Sequence, residues 1–209
     1  MLVAAKRIPE FLDQQRDRKW QLLRLRELGG LTVAIVGLGS IGHEVAVRCK
    51  AMAMRVLAIR NHPERGSDVA DRVYGPEALS AVFEEAHFVV IAVPATPETR
   101  GMIGGDELRC MRPDAWLINV ARGAVVDQHA LVEALAQRWI GGAALDVFED
   151  EPLSKDSPLW TMENVVITPH NAWSTPYLKQ REAELFLDNL RRYLADEPLL
   201  NVVNPSKGY

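Results

Sequence analysis

The sequence contains few of the residue patterns that mark metal sites, disulfide-rich folds and nucleic-acid binders. Its two cysteines, Cys49 and Cys110, form no C-x-x-C pair, so we expect reduced structural thiols. Its five histidines show no helical pairing of the kind that ligates zinc, which argues against a metal site. The 24 Lys and Arg residues form no long block and the formal net charge is −4, so no nucleic-acid partner is expected.

The sequence also lacks an apolar stretch long enough to cross a membrane. Its first seven residues, M-L-V-A-A-K-R, have too short an apolar run and the wrong order of charge for a secretory signal. We therefore expect a soluble cytoplasmic protein with no membrane partner. At 209 residues, 48% of them apolar, the chain is long enough for one domain with a substantial core, with or without a small appendage.

The order of apolar patterns along the chain predicts the fold. Residues 1–28 combine scattered apolar positions with dense charge, which predicts a solvent-flanked helical arm interrupted near Pro9 and ended by Gly29-Gly30. Short strands and helices then alternate, which predicts an α/β fold with a doubly wound parallel sheet, the Rossmann arrangement. The predicted strands are 32–36, 55–59, 87–93, 115–120, 143–147 and 165–168, and the predicted helices are 40–54, 76–85, 106–111, 128–137 and 176–195.

A G-x-G-x-x-G motif, G-L-G-S-I-G, lies between the first predicted strand and the helix that follows it. In this context Gly37 permits the tight turn, Gly39 lets a pyrophosphate approach the backbone, and Gly42 lets the helix pack close to the strand. The N–H groups of Ser40 and Ile41, with the helix dipole behind them, would bind the phosphates. A tight strand-to-helix turn without a ligand is the alternative. The motif predicts a dinucleotide site.

The end of the second predicted strand bears on which dinucleotide binds. NAD sites usually place Asp or Glu there to accept a hydrogen bond from the ribose 2′-hydroxyl. Here the strand runs V-L-A-I and is followed by Arg60 and Asn61. Because a guanidinium can pair with a 2′-phosphate, we expect a preference for NADP, with NAD possible. The alternative is that Arg60 is a solvated loop residue and either cofactor binds.

Taken with the glycine motif, four further segments resemble the D-isomer-specific 2-hydroxyacid dehydrogenases. The resemblance is continuous from about Ile8 to the C-terminus, and its motifs keep their order. It implies an oxidoreductase that transfers a hydride between NADP(H) or NAD(H) and a small 2-keto or 2-hydroxy acid. The four segments are Val93–Gly101, Asn119–Gly123, Gly142–Glu149 and Thr168-Pro169-His170.

The resemblance implies a role for each of three residues. His170 would be the acid/base, a role that suits imidazole near neutral pH, and Glu151 would pair with it and orient the ring. Arg122 would hold the substrate carboxylate and polarise the keto oxygen. Taken singly, each residue has a structural alternative as a turn or loop residue. The cofactor groove would be lined by Pro94, Thr99, Val120 and Ala121, with Asp146 at the nicotinamide end.

The resemblance also implies a domain organisation. Residues 1–28 would be an interdomain arm, 29–173 the dinucleotide-binding domain, and 174–209 a C-terminal helix and tail returning toward a substrate-binding domain. That second domain, on the order of a hundred residues, would be absent from this chain. A non-catalytic dinucleotide-binding or regulatory protein, or an inactive fragment, is therefore the alternative reading. Because the family's dimers form through the cofactor domain, apolar positions on the arm and the last helix predict a homodimer.

Overall fold

A computed structural model describes residues 1–204 of the chain. It comprises two compact units, Met1–Pro169 and a second that begins at His170. The functional division into 1–28, 29–173 and 174–209 stays a prediction.

The first unit is built on a seven-stranded sheet in the described part of the chain. Every pair of neighbouring strands is parallel, and the strand order is β3-β2-β1-β4-β5-β6-β7. The predicted doubly wound parallel sheet is therefore confirmed. The strands are β1 (Thr32–Val36), β2 (Arg55–Ile59), β3 (Arg72–Tyr74), β4 (Phe88–Ile91), β5 (Trp116–Asn119), β6 (Gly142–Leu145) and β7 (Val165–Ile167).

Helices cover both faces of this sheet, because the inner strands are apolar on both sides. On one face, Ala34 and Val36 of β1 join the core with α4, α5 and α6. On the other face, Val33 and Ile35 join the core with α3 and α1. The helices of this unit are α1 (Leu2–Ala5), α2 (Ile8–Arg16), α3 (Ser40–Ala51), α4 (Leu79–Glu85), α5 (Gly105–Cys110) and α6 (Gln128–Ala136).

The strand predictions differ in how closely they match the structure. The predictions for β1 and β2 match at both ends, since continuous β-branched apolar runs mark a strand buried on both faces. The predictions for β4 to β7 are one or a few residues too long. The sequence prediction missed β3 altogether, because its three residues, R-V-Y, carry no periodicity and pair only with β2 at the edge.

The arm matches its prediction in part, since the expected interruption near Pro9 is present. Two short helices form, separated at Arg7, which is left-handed with φ 50°, and Pro9 lies in the first turn of α2 rather than kinking it. After Asp17 the chain is irregular to residue 27, so the prediction of a helix over that part is wrong. Helix α2 ends where Arg18 takes a left-handed conformation and the N–H of Lys19 donates to the Gln14 carbonyl.

The second unit contains α7 (Leu178–Leu194), which confirms the predicted C-terminal helix with slightly shorter ends. None of its residues is buried, and its exposed apolar side chains include Phe186, Tyr193 and Leu194. Within residues 1–204, no helix has the combined length and apolar character that crossing a bilayer requires.

Candidate active site at the carboxyl edge of the sheet

The strand order reverses direction between β1 and β4, because the chain runs from β1 outward to β3 and then returns to β4. In open parallel sheets, a crevice forms at such a reversal, outside the carboxyl ends of the strands. The glycine motif follows β1, and the loop containing Pro94 follows β4. The sheet topology thus places these two predicted cofactor segments on either side of the reversal.

The glycine motif is fixed by close backbone packing. Gly37 has φ 98°, and a Cβ there would lie 2.6 Å from the carbonyl oxygen of Ala92 in the loop after β4. A Cβ on Gly42 would lie 1.9 Å from the carbonyl oxygen of Gly37, so helix α3 and the turn before it exclude any larger residue. Two of the three motif glycines are therefore required by contacts within the protein.

Gly39 differs from the other two glycines, since nothing lies within 4 Å of where its Cβ would be. It is the N-cap of α3, and no side chain caps this helix among the described residues. The N–H groups of Ser40, Ile41 and Gly42 occupy the first turn, where no intrahelical acceptor exists. Open space above uncapped N–H groups at the positive end of a 12-residue helix fits a dinucleotide pyrophosphate.

Arg60 comes directly after β2, at the same edge of the sheet. Its backbone N–H donates to the Tyr74 carbonyl of β3, and its guanidinium Nη1 donates to the Gly66 carbonyl at 3.4 Å. The side chain is half-buried and is held by the loop that follows it. This tether turns the guanidinium toward the loop beyond β2, where the sequence predicts recognition of the adenosine ribose.

The loop after β4 is stabilised by Thr99. Its hydroxyl donates to the Pro94 carbonyl at 2.6 Å and accepts from the Thr96 N–H at 2.8 Å. Pro94 is exposed at the edge of the crevice. Thr99 therefore shapes the predicted groove lining through its internal hydrogen bonds.

The end of β5 carries the predicted substrate arginine. Arg122 is exposed, and its Nη1 donates to the Ala121 carbonyl at 2.7 Å. The buried Asn119 side chain bonds the Ala121 N–H and the Arg122 carbonyl, each at 3.1 Å. Asn119 lies outside the predicted set of site residues, although a polar residue ending the apolar strand W-L-I-N is a visible signal. Val120, beside it, is half-buried.

The segment that follows β6 contains the two predicted acidic residues. Asp146 is buried, with 5% of its surface exposed, and accepts a hydrogen bond from the Thr168 hydroxyl just after β7. Glu151 is exposed, and its Oε1 accepts from the Phe148 N–H at 3.0 Å. A Cβ on Gly123 would lie 1.9 Å from the Phe148 carbonyl oxygen, so the loop after Arg122 packs directly on the loop leading to Glu151.

The predicted acid/base, His170, is the first residue of the second unit and lies three positions after Ile167, the last residue of β7. It adopts a left-handed conformation with φ 49°, which is uncommon for a residue other than glycine. Its carbonyl accepts from the indole N–H of Trp173 at 2.8 Å.

Two further findings bound the site. A cavity of about 420 Å³ lies at the other end of the strands, lined by arm residues such as Arg7 and Arg24 and by residues such as Phe88 and Trp116 at the starts of β4 and β5. It is therefore remote from the predicted cofactor edge. Within residues 1–204, no three His, Cys, Asp or Glu side chains converge as a metal site would need.

Comparison with known proteins gives one family. Residues 1–172 match the family model described as D-isomer specific 2-hydroxyacid dehydrogenase, NAD binding domain. A glyoxylate reductase of Korarchaeum cryptofilum is 42% identical over 98% of this chain and 63% of its own length. A D-3-phosphoglycerate dehydrogenase of Methanocaldococcus jannaschii is 37% identical over 98% of this chain and 39% of its own length. The chain thus spans less than two thirds of the length of these curated relatives.

Solved structures give the same result. A D-isomer specific 2-hydroxyacid dehydrogenase from Xanthobacter autotrophicus Py2, in complex with NADPH and MES, superposes with a TM-score of 0.87 at 37% identity, covering 100% of this chain and 85% of that one. An NADPH-dependent glyoxylate/hydroxypyruvate reductase from Sinorhizobium meliloti, in complex with NADP and sulfate, gives a TM-score of 0.88 at 29% identity, covering 100% of this chain and 66% of that one.

Proposed function

The chain belongs to the D-isomer specific 2-hydroxyacid dehydrogenase family and contains its NAD binding domain, and on this basis we propose that it serves an oxidoreductase acting on a small 2-keto or 2-hydroxy acid. The observation that carries the proposal is the edge where the strands end. There the uncapped N-terminus of α3 and the exposed Arg122 follow β1 and β5 of one parallel sheet. The first suits a dinucleotide phosphate, and the second suits a substrate carboxylate.

The proposed cofactor is NADP(H), with NAD(H) as the alternative. The backbone N–H groups of Ser40 and Ile41 would hold its pyrophosphate, Gly39 would leave room for it, and Gly37 and Gly42 would fix the turn. Arg60 would pair with the 2′-phosphate. NAD sites usually have Asp or Glu at the end of this strand, and this chain has neither there. The NADPH and NADP complexes of the two structural relatives support this preference.

The proposed reaction is reduction of a 2-keto acid. When bound, reduced nicotinamide supplies the hydride to the keto carbon. Arg122 would bind the substrate carboxylate and draw electron density toward the keto oxygen, and the imidazolium of His170 would donate the proton that this oxygen takes up. Glu151 would hold the His170 ring in the orientation for proton transfer. The buried Asp146 would lie at the nicotinamide end of the site.

The proposed substrates are glyoxylate and hydroxypyruvate. Relatives named glyoxylate reductase and glyoxylate/hydroxypyruvate reductase support this choice. The segment Trp173-Ser174-Thr175, which follows His170, resembles that of members acting on small polar keto acids; the alternative is that Trp173 serves packing. Because one relative is named D-3-phosphoglycerate dehydrogenase, a phosphorylated hydroxy acid is the substrate to test for comparison.

The experiment measures oxidation of NADPH, against NADH, by this chain with each keto acid. Turnover that is lost in His170→Gln and in Arg122→Ala supports the enzyme. Cofactor binding by fluorescence titration without turnover would support the alternative, a dinucleotide-binding protein or an inactive fragment. Absence of cofactor binding in a folded chain would overturn both the enzyme and the dinucleotide-binding protein.

We further propose that the chain forms a homodimer through its arm. Trp20 is 98% exposed and Leu22 is 91% exposed, both in the irregular part of the arm, and Leu12 of α2 is also exposed. Large apolar side chains exposed together favour a protein contact. Light scattering should report a dimer at micromolar concentration and a monomer for the double variant Trp20→Asp, Leu22→Asp. Trp160→Asp is the control, because Trp160 is an exposed aromatic residue outside both the arm and α7, and a monomeric unmodified chain would refute the dimer.

A further inference from the structure

We propose that Asn119 is a positioning residue that fixes the backbone from which the Arg122 guanidinium extends. The inference rests on the role proposed for Arg122 as the group that binds the substrate carboxylate. Asn119 is the last residue of β5, and only its backbone takes part in the pairing of the sheet. Asn119 pairs in register with Ile91 of β4 and Leu145 of β6 through the backbone.

The Asn119 side chain forms a clamp on the two residues that follow Val120. Its Oδ1 accepts from the Ala121 N–H at 3.1 Å, and its Nδ2 donates to the Arg122 carbonyl at 3.1 Å. Its own carbonyl accepts from the Asp146 N–H at 3.0 Å, which ties the clamp to β6. With 1% of its surface exposed, Asn119 makes these bonds away from competing water.

The clamp reaches the guanidinium through Ala121. The Ala121 N–H is bonded to Asn119, while the Ala121 carbonyl accepts from the Arg122 Nη1 at 2.7 Å. Because Ala121 is itself buried, with 7% exposed, its peptide groups cannot turn to solvent instead. The orientation of the Ala121 backbone therefore sets where the guanidinium lies.

A second contact holds the chain on the far side of Arg122. Gly123 packs on the backbone of Phe148, where even a Cβ would collide at 1.9 Å. Phe148 in turn donates its N–H to Glu151. Arg122 thus lies between the Asn119 clamp and the Gly123 contact. The Gly123 contact also holds the loop that leads from Phe148 to Glu151.

Asparagine suits this position for a chemical reason. The two backbone groups require one acceptor and one donor on a single short planar group, which the amide provides. Aspartate keeps the acceptor for the Ala121 N–H but places a second oxygen against the Arg122 carbonyl. Alanine removes both bonds and leaves the buried Ala121 N–H without its partner.

Loss of the Asn119 clamp would affect the proposed reaction by displacing the Arg122 guanidinium. A long side chain converts a small rotation at its backbone into a large displacement of its terminal group. Misplacement of a substrate-holding group by about 1 Å reduces turnover on the order of a hundredfold. We therefore expect Asn119→Ala to lower kcat/KM for the keto acid by about that factor while leaving the NADPH dissociation constant within about twofold.

The direct test measures the mobility of the Arg122 side chain by NMR relaxation of its Nε–H, assigned from Arg122→Lys, in the unliganded chain. The order parameter should fall in Asn119→Ala to below about 0.6, the range of flexible segments, with an intermediate value in Asn119→Asp. Aspartate has nearly the same side-chain volume as asparagine, so Asn119→Asp can be measured in place of Asn119→Ala if the alanine variant does not fold. An unchanged order parameter in a folded Asn119 variant would overturn the proposal.

The matched control is Asn164→Ala. Asn164 is also a buried asparagine, with 7% exposed, and it donates to the Leu135 carbonyl, but it lies before β7 at the opposite edge of the sheet. Its loss should lower stability without mobilising Arg122. Mobilisation of Arg122 by Asn164→Ala to the same degree would show a general loosening and would refute a specific role for Asn119.

The activity measurement separates this inference from the proposed function. If Arg122→Ala leaves turnover unchanged, the role proposed for Arg122 is wrong, whatever the relaxation data show for Asn119. If Arg122→Ala abolishes turnover and Asn119→Ala leaves kcat and KM unchanged, the positioning role is wrong and the proposed function stands.

Discussion

The Cα of Gly42 lies so close to Gly37 that a Cβ on Gly42 would lie 1.9 Å from the Gly37 carbonyl oxygen. The third glycine of the motif is thus required by packing of α3 on the turn that precedes it. Gly39, between them, has open space around the position of a Cβ. Gly42 and Gly39 therefore serve different purposes, and substitutions at these two positions should have different effects.

We predict that Gly42→Ala destabilises the fold by about 1–3 kcal/mol, because the added methyl group displaces backbone that cannot yield easily. Gly39→Ala should leave stability nearly unchanged and weaken NADPH binding roughly tenfold or more, because the methyl group enters the space where the pyrophosphate would approach. Urea unfolding and fluorescence titration measure the two effects. Equal loss of stability in both variants would contradict the distinction.

Arg60→Ala should weaken NADPH binding by about 10- to 100-fold, since a hydrogen bond to a charged group contributes about 1.5–3 kcal/mol. NADH binding should change by less than about threefold. Arg65→Ala is the control, because Arg65 is an exposed cation in the same loop. Similar affinity of the native chain for NADPH and NADH, unaffected by Arg60→Ala, would exclude recognition of the 2′-phosphate by Arg60.

The stability of the fold should fall as the pH drops below about 6.5, the ordinary pKa of histidine, because of His87. Its Nδ1 accepts from the Thr32 N–H at 3.2 Å, so the folded state requires neutral imidazole. Burial first, and then the charges of Arg112 and Arg26, hold the pKa of His87 below its usual value, while Asp114 opposes them. The unfolded chain therefore takes up the proton first, and this stabilisation is present above that pH and lost below it.

The measurement for His87 is the urea midpoint at pH 7.5 and pH 5.5, set on either side of the ordinary histidine pKa of about 6.5. In His87→Asn the side-chain oxygen can accept from the Thr32 N–H without titrating, so the difference between the two midpoints should shrink. Burial acts to raise the pKa of Asp114, but the hydrogen bond that it accepts from Arg112 and the charge of Arg26 hold that pKa below its usual value, so Asp114 titrates outside this range. A difference that persists fully in His87→Asn would assign the effect to other groups.

Cys49 should resist thiol reagents in the folded chain. Burial raises the pKa of the Cys49 thiol to about 11, and none of its surface is exposed. Because the thiolate is the reactive form, a disulfide reagent at neutral pH should modify the half-buried Cys110 well before Cys49. Mass spectrometry after timed labelling distinguishes the two sites, and urea should make both react. Prompt modification of Cys49 in folded Cys110→Ser would contradict the packing around it.

The parts of the fold that the sequence predicts are those determined by local patterns. The bounds of β1 and β2 follow from continuous apolar runs, and the glycine motif follows from its position between a strand and a helix. The Asp127 cap of α6 is likewise local, because its side chain accepts from the Ala130 N–H three residues on. Each of these features depends on residues a few positions apart.

What the sequence pattern did not predict depends on contacts between distant segments. The edge strand β3 exists because β2 offers it a partner, and the arm after Asp17 is irregular although its composition suits a helix.

By itself, then, the sequence determined the alternating fold, the family and the residues available for chemistry, because periodicity and short motifs carry that information. Only the tertiary structure decided the strand order with its reversal between β1 and β4, and the packing of Gly123 on Phe148. It also decided the clamp of Asn119 on Arg122, because burial turns an ordinary amide into the partner of two backbone groups that have no access to water.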